Sequence, residues 1–292
     1  MGKRISRDAP LGLPSDPPVL TGAGTANPPT STISSPSAVV HLYYGDSPPP
    51  HPGKDWTRFV CISDTHSRTF PVPSGDVLLH SGDLSSWGTI PQLKVTIDWL
   101  ESLDHPAKIL IAGNHDLCLD KNFPGILRQN GLIRGTEEDE AVILAQSLVR
   151  GEASRKAGLY YLEHESMDLV TKTGKRWKIY GTPAAPRYVL GSFQYTTEEQ
   201  AQAIYDRVPA DTEIFLTHTP PFLTLDKAKR GADAGCPHLA KRVDELHNCR
   251  LHVFGHIHEA HGAKIHGASD KLVSVNAALA LRGQAIIVDL KH

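Results

Sequence analysis

Apolar positions along this chain come in short unbroken runs, and several of the runs end on polar side chains able to bind a metal or carry a proton. Residues 109–112 read Ile-Leu-Ile-Ala and close on Gly113-Asn114-His115-Asp116. The same grammar recurs in four other places. Residues 59–62 lead into Ser63-Asp64-Thr65-His66, and 77–79 precede Gly82-Asp83. Residues 214–216 lead into Thr217-His218, and 251–254 into Gly255-His256-Ile257-His258. Runs this short and this apolar predict buried strands. In open α/β sheets ligands sit beyond the carboxyl ends of the strands. The pattern therefore predicts one composite site built from five strand ends.

The remaining pattern alternates strand and helix. Strands are expected at 58–63, 77–81 and 108–112, with a helix at 91–103 that carries Pro91 in its first turn. Thr136 is the expected N-cap of a helix over 137–150, whose first turn is acidic as the helix dipole prefers. The period then changes. Residues 159–162, 167–171 and 176–180 read as short β segments, the last two joined by a hairpin through Lys172-Thr173-Gly174-Lys175. Thr196-Thr197-Glu198-Glu199 reads as a capping box opening a helix to about Val208. A strand is expected at 213–217, a helix at 237–246, a strand at 251–254, and further β structure at 272–275 and 285–290. This order of a βα half followed by a mixed half predicts two sheets packed face to face with helices outside.

The first 52 residues break the pattern. They are dense in Pro, Ser, Gly and Thr, including Asn27-Pro28-Pro29 and Ser47-Pro48-Pro49-Pro50. Such a composition buries too little apolar surface to offset chain entropy, so residues 1–52 are expected to be a disordered tail ahead of a folded domain at 53–292. The apolar run 38–44 is the exception and suggests an added edge strand. Met1-Gly2-Lys3-Arg4-Ile5-Ser6 matches the pattern for N-myristoylation, with Lys3 beside Gly2 counting against it. A mitochondrial presequence built on Lys3, Arg4 and Arg7 is weakened by Asp8 and the many prolines.

Composition narrows the functional classes. With 40% apolar residues in 292, the chain has material for a substantial core. A formal charge of -2 and a pI near 6.8 give no nucleic-acid footprint and no polybasic membrane surface. No apolar run approaches the roughly 18 residues of a membrane-spanning helix, so no stable membrane insertion is expected. The four cysteines, Cys61, Cys118, Cys236 and Cys249, show no CxxC spacing. Buried free thiols suit a reducing compartment, and a cytoplasmic location is expected.

A two-metal hydrolase needs ions about 3.5 to 4 Å apart, a shared ligand, and oxygen and nitrogen donors on each side. Asp64 and His66, one residue apart, can clasp an ion from one side of an extended strand end. Asp83 is the natural shared carboxylate, because it has two oxygens and Gly82 allows close approach of the backbone. Asn114 offers a neutral carbonyl oxygen, and His218, His256 and His258 offer imidazoles. One such motif alone is more often a turn, a cap or an exposed face. Five in order at strand ends point to a dinuclear centre, and the lack of Cys in the set argues against a structural zinc knot.

Asp64-Thr65-His66, Gly82-Asp83, Gly113-Asn114-His115-Asp116, His218 and Gly255-His256-Ile257-His258 resemble, in order, the signature of the calcineurin-like metallophosphoesterases. Residues 59–67 and Tyr180-Gly181-Thr182-Pro183 look like the small metallophosphoesterase-domain proteins related to class III cyclic-nucleotide phosphodiesterases. The resemblance implies a four-layer α/β/β/α sandwich. It also implies Asp64, His66, Asp83 and His258 around one divalent ion, and Asp83, Asn114, His218 and His256 around a second. His115 would be the catalytic histidine, with Asp116 orienting it. Manganese is the foremost expectation, and Mg, Fe, Co or Zn also suit the donors.

The expected chemistry is hydrolysis of phosphodiesters or phosphomonoesters of small molecules, nucleotides or cyclic nucleotides foremost. A metal-bridging hydroxide attacks phosphorus and His115 donates the proton to the leaving group. Protein Ser/Thr phosphatase activity is disfavoured, because that family carries an Arg after the bridging Asp and a Glu after the catalytic His. Here Leu84-Ser85-Ser86-Trp87 follows Asp83, and Asp116 follows His115. Purple acid phosphatases place a ligating Tyr after the bridging Asp, and none is present. A weakly active, metal-dependent nucleotide-binding scaffold is the alternative from another class, and protein partners are left open. Arg187 is a candidate substrate-phosphate contact, alongside Asn114 and His115. His80 is expected to be a hydrogen-bonded core histidine and His261 a solvated loop residue. Lys227, Lys229 and Arg230 form a basic run that is either a solvated face or a recruiter of anionic substrate.

Overall fold

Apolar runs without alternation need cover on both faces, and this chain supplies it by stacking two sheets between helices. The computed structural model describes residues 31–267, 271–281 and 284–292. In chain order the first half comprises β1 (Ser31–Ser35), β2 (Ala38–Tyr43), β3 (Trp56–Ile62), β4 (Val77–Ser81), α1 (Ile90–Ser102) and β5 (Ala107–Ile111). Next come α2 (Phe123–Gln129), α3 (Glu137–Arg150), α4 (Glu152–Lys156), β6 (Leu159–Tyr161), β7 (Glu165–Val170) and β8 (Arg176–Thr182). The rest comprises β9 (Ala185–Pro186), β10 (Gln194–Tyr195), α5 (Glu198–Tyr205), β11 (Ile214–Thr217), α6 (Pro237–Glu245), β12 (Leu251–Phe254), β13 (Gly262–His266), β14 (Leu272–Asn276) and β15 (Ile286–Lys291).

The first sheet has the order β1-β2-β15-β3-β4-β5-β6, with β3 to β6 parallel and β15 antiparallel to both β3 and β2. The second has the order β13-β14-β12-β11-β8-β7, parallel in the middle with an antiparallel strand at each edge. Between them lies the main core, where Phe59, Leu79, Ile109 and Ile111 meet Trp177, Ile179, Leu216 and Val253. The Trp177 indole also donates to Thr57 Oγ1 at 3.1 Å, so its one polar atom is satisfied in the interior. The opposite pleat of the first sheet, with Val60, Ile62, Leu78 and Leu110, is covered by α1 and α3 through Leu93, Ile97, Leu100, Ala145 and Val149. The outer pleat of the second sheet, with Tyr180 and Phe215, lies under α5 and α6. The four-layer α/β/β/α sandwich expected from the resemblance is the architecture observed. Among the described residues no helix is long and apolar enough to cross a membrane.

The structure revises the expected boundaries in physical terms. Residues 31–35 already pair in the sheet, ahead of residue 52. β2 pairs with β15 on one side and β1 on the other, so the run at 38–44 is an interior strand and not an edge. Its sequence-distant partner β15 supplies the burial that the local composition lacks. Residues 1–30, including the Gly2 motif, lie outside the described residues. The capping box sits one residue later than expected. Thr197 Oγ1 accepts from Gln200 N at 3.3 Å, and Gln200 Oε1 reaches back to Thr197 N at 3.3 Å. Thr136 is the N-cap residue of α3 but makes no side-chain cap. The helices α2 and α4 and the strand β13 were not expected, each being short or carrying Pro and Gly.

Candidate metal centre

Five parallel strands deliver their carboxyl ends to one place, and the two sheets are fastened together there. Ser81 at the end of β4 donates through Oγ to the Val253 carbonyl of β12 at 2.9 Å. The Ser81 carbonyl accepts from His218 Nδ1, just beyond β11, also at 2.9 Å. That bond fixes the proton on Nδ1 and leaves the His218 Nε2 lone pair facing the site.

Asp83 lies at the middle. Its Oδ2 is 3.7 Å from His66 Nε2, and its Oδ1 is 3.4 Å from His218 Nε2. On the Oδ2 side, ligand atoms of Asp64, His66, Asp83 and His258 all fall within 4.8 Å of one another. His258 Nε2 is 3.0 Å from Asp64 Oδ1 and 3.4 Å from His66 Nε2. On the Oδ1 side, Asn114 Oδ1 is 2.9 Å from His218 Nε2, and the His256 ring lies 4.9 Å from that of His218, centroid to centroid. The side chains of all seven residues thus stand close together, with one oxygen of Asp83 toward His66 and the other toward His218.

The backbone is bent to achieve this. Asp64, His66, Asp83 and His256 hold positive φ values of 56°, 47°, 54° and 67°. Non-glycine residues rarely adopt this region, and such strain concentrates at functional sites. Two glycines complete the cradle. A Cβ on Gly113 would collide with Asp83 Oδ1, and one on Gly255 with Asp64 Oδ2.

Electrostatics favour a cation. Burial alone would raise the Asp64 carboxyl, but the His258 hydrogen bond and the neighbouring imidazoles outweigh it and hold the group well below the usual range. Asp83 is lowered by the same balance, through His218, His115 and His66. Burial pushes His66 and His256 down to about 4, so both are neutral at pH 7 with lone pairs available. The nitrogens of His66 and His258, face to face, have room for one proton between them, where a divalent cation can be bound by both. Oxygen and nitrogen donors of this kind suit a hard or borderline divalent ion.

His115 and Asp116 play different parts from each other. The His115 ring donates from Nδ1 to the Ser86 carbonyl at 2.7 Å, and its backbone N–H donates to Asp83 Oδ1 at 2.9 Å. Burial opposes its protonation, but the Asp83 charge and the Ser86 carbonyl prevail and raise it above the ordinary histidine value. Asp116 does not orient the ring, contrary to expectation. Its carboxylate accepts from Gly113 N at 2.8 Å, Leu84 N at 3.1 Å, Ser85 N at 2.8 Å and Ser85 Oγ at 2.7 Å. It clamps the loop carrying Asp83 to the loop carrying Asn114, and it is fully buried. Burial and the Asp83 charge push it up to about 6.

Residues that the sequence did not single out hold these loops. Ser192 donates to the carbonyls of Gly113 and Asn114 at 3.0 and 3.1 Å. Asn276 donates to the Ile257 carbonyl at 3.0 Å, beside both terminal histidines. His80 is a buried core histidine, as expected, with Nδ1 accepting from Gly82 N and Nε2 donating to Thr65 Oγ1 at 3.0 Å. His261 is half-buried, with Nδ1 3.0 Å from the Ala278 carbonyl, and not simply solvated. Arg187 lies outside the seven-residue cluster. It is exposed on the lining of a cavity of about 640 Å³ that reaches His256.

The calcineurin-like phosphoesterase profile matches residues 57–260 of this chain. The human and mouse proteins named metallophosphoesterase domain-containing protein 1 are each 35% identical to it over 232 residues, covering 77% of this chain and 66% of theirs. A probable rhamnogalacturonate lyase C of Emericella nidulans is 35% identical over 209 residues, or 71% of this chain and 18% of that protein. The chain thus spans two thirds or less of the length of these relatives. Its profile match takes in every residue of the seven-donor cluster, and on that ground the chain belongs to the calcineurin-like phosphoesterase family.

Proposed function

We propose that this chain is a dinuclear, divalent-metal-dependent phosphoesterase that hydrolyses phosphodiesters or phosphomonoesters of small molecules, nucleotides or cyclic nucleotides foremost. One observation carries the reading: Asp83 turns one oxygen to the group containing His66 and the other to the group containing His218. A single carboxylate so placed serves two cations. Asp64, His66 and His258 complete one set, and Asn114, His218 and His256 the other. Manganese is the proposed metal. When bound, two such ions supply Lewis acidity toward phosphoryl oxygens and lower the pKa of a water molecule.

The chain's own residues do the rest. His115 is held by the Ser86 carbonyl through Nδ1, so a proton on Nε2 is the one free to reach a leaving group. The Asp83 charge and the Ser86 carbonyl shift the ring toward its protonated form, the direction a general acid requires. Asp116 acts through the backbone, keeping Asp83 and Asn114 in register. Asn114 and Arg187 are the proposed substrate contacts beside His115. The four buried free thiols support a reducing, cytoplasmic setting.

The test is hydrolysis of bis-p-nitrophenyl phosphate and p-nitrophenyl phosphate by metal-stripped protein reloaded with manganese, alongside Asp83→Ala. Metal-dependent turnover that the substitution abolishes is the expected result. Absence of turnover in the reloaded wild type would overturn the proposal.

A further inference from the structure

The cavity beside His256 carries more positive charge than one phosphoester needs. Its lining includes Arg187 and Tyr188 from the loop after β9, and Lys229 and Arg230 from the loop between β11 and α6. Lys227 in the same loop is paired with Asp233 at 2.6 Å. Arg187, Lys229 and Arg230 form no ion pair among the described residues, and Glu259 is the single carboxylate on the lining. The cations are also presented by a preformed loop. Asp226, 1% exposed, accepts from Leu223 N and Gly235 N at 3.0 Å each, and Ala228 N donates to the Ala232 carbonyl at 2.9 Å.

A scissile phosphate at the metal centre is already neutralised there. Unpaired cations next door suit a second anionic group of the same molecule. Tyr188 adds a flat aromatic face, 87% exposed, on the same lining. The cavity volume of about 640 Å³ is in the range that holds small-molecule ligands. Resting on the phosphoesterase reading above, we propose that Arg187, Lys229 and Arg230 bind a second phosphate of the substrate and Tyr188 stacks on its base. The substrate class is then a nucleoside diphosphate or polyphosphate.

The proposal is tested by titrating the manganese-loaded full chain with adenosine 5′-(α,β-methylene)diphosphate, adenosine monophosphate and methylenediphosphonate. The diphosphate analogue is expected to bind about tenfold more tightly than the monophosphate. Combining Lys229→Ala with Arg230→Ala, both exposed and outside the core, is expected to erase most of that preference. Tyr188→Ala is expected to weaken the nucleoside analogue and leave methylenediphosphonate unchanged. Equal affinity of the wild type for the mono- and diphosphate, or a preference undiminished in the double variant, would overturn the proposal. Turnover of bis-p-nitrophenyl phosphate by the wild type is read separately. Its absence with the preference intact would remove the phosphoesterase reading and still support the cavity as a diphosphate site.

Discussion

The Nε2 atoms of His66 and His258 face each other across 3.4 Å. Two imidazole nitrogens aimed at one point, with Asp64 and Asp83 beside them, form a cluster whose repulsions a cation relieves. Chelation should therefore destabilise the protein. An ion at a hundred times its Kd stabilises the folded state by about 2.7 kcal/mol. For a fold of this size the melting temperature should rise by about 5 to 10 °C when metal is restored. A melting curve indifferent to chelator and to added manganese would contradict this.

Replacing His115 tests its role as acid. His115→Gln removes the proton donor but keeps an amide near the Ser86 carbonyl. Turnover of esters with an alkoxide leaving group should fall by about 10² to 10⁴-fold. Turnover of a p-nitrophenyl ester should fall far less, because nitrophenolate leaves without a proton. Equal losses on both substrate types would assign His115 a positioning role instead.

Asp116→Asn should act on structure first. An amide cannot accept all four hydrogen bonds now made to Gly113, Leu84 and Ser85. Leaving buried donors unmatched costs about 1 to 3 kcal/mol each. The expected result is a lower melting temperature together with weakened metal binding, since Asp83 and Asn114 are the residues the clamp aligns. A variant with native stability and native metal affinity but altered pH dependence would restore the view that Asp116 orients the His115 ring.

His252, within β12, gives the fold an acid-sensitive spot. It is fully buried, stacked on Phe215 with ring centroids 4.8 Å apart, and its Nδ1 has no partner among the described residues. Burial pushes it down to about 3, against an ordinary 6.5. Between those values the unfolded chain binds a proton that the folded chain refuses, so stability falls as pH drops through this window and is flat above it. His252→Phe removes the titrating group, and Thr217 Oγ1 keeps its bond to the Thr219 carbonyl at 2.8 Å. Its acid-unfolding midpoint should move to lower pH, whereas an unchanged midpoint would show that other groups control acid unfolding.

Much of this was legible in the sequence because ligands and strands obey short-range rules. The five apolar runs each gave a strand, and the seven polar side chains named at their ends stand close together. What was not legible depended on partners distant in sequence. Ser31–Ser35 is polar and joins the sheet only because β2 and β15 complete it. The Asp116 clamp and the Ser86 hold on His115 run largely through main-chain groups, which carry no side-chain signature. Arg187, Lys229 and Arg230 share a cavity through folding, while 41 residues of sequence between Arg187 and Lys229 hide the relation.

The claim on which the rest depends is that Asp83 is shared by two cations. The direct measurement is manganese bound per chain after removal of free metal, by inorganic mass spectrometry, in wild type and in Asp83→Ala. About two ions in the wild type and fewer than one in the variant are the predicted values. A single ion in the wild type, or two retained without the Asp83 carboxylate, would contradict the account.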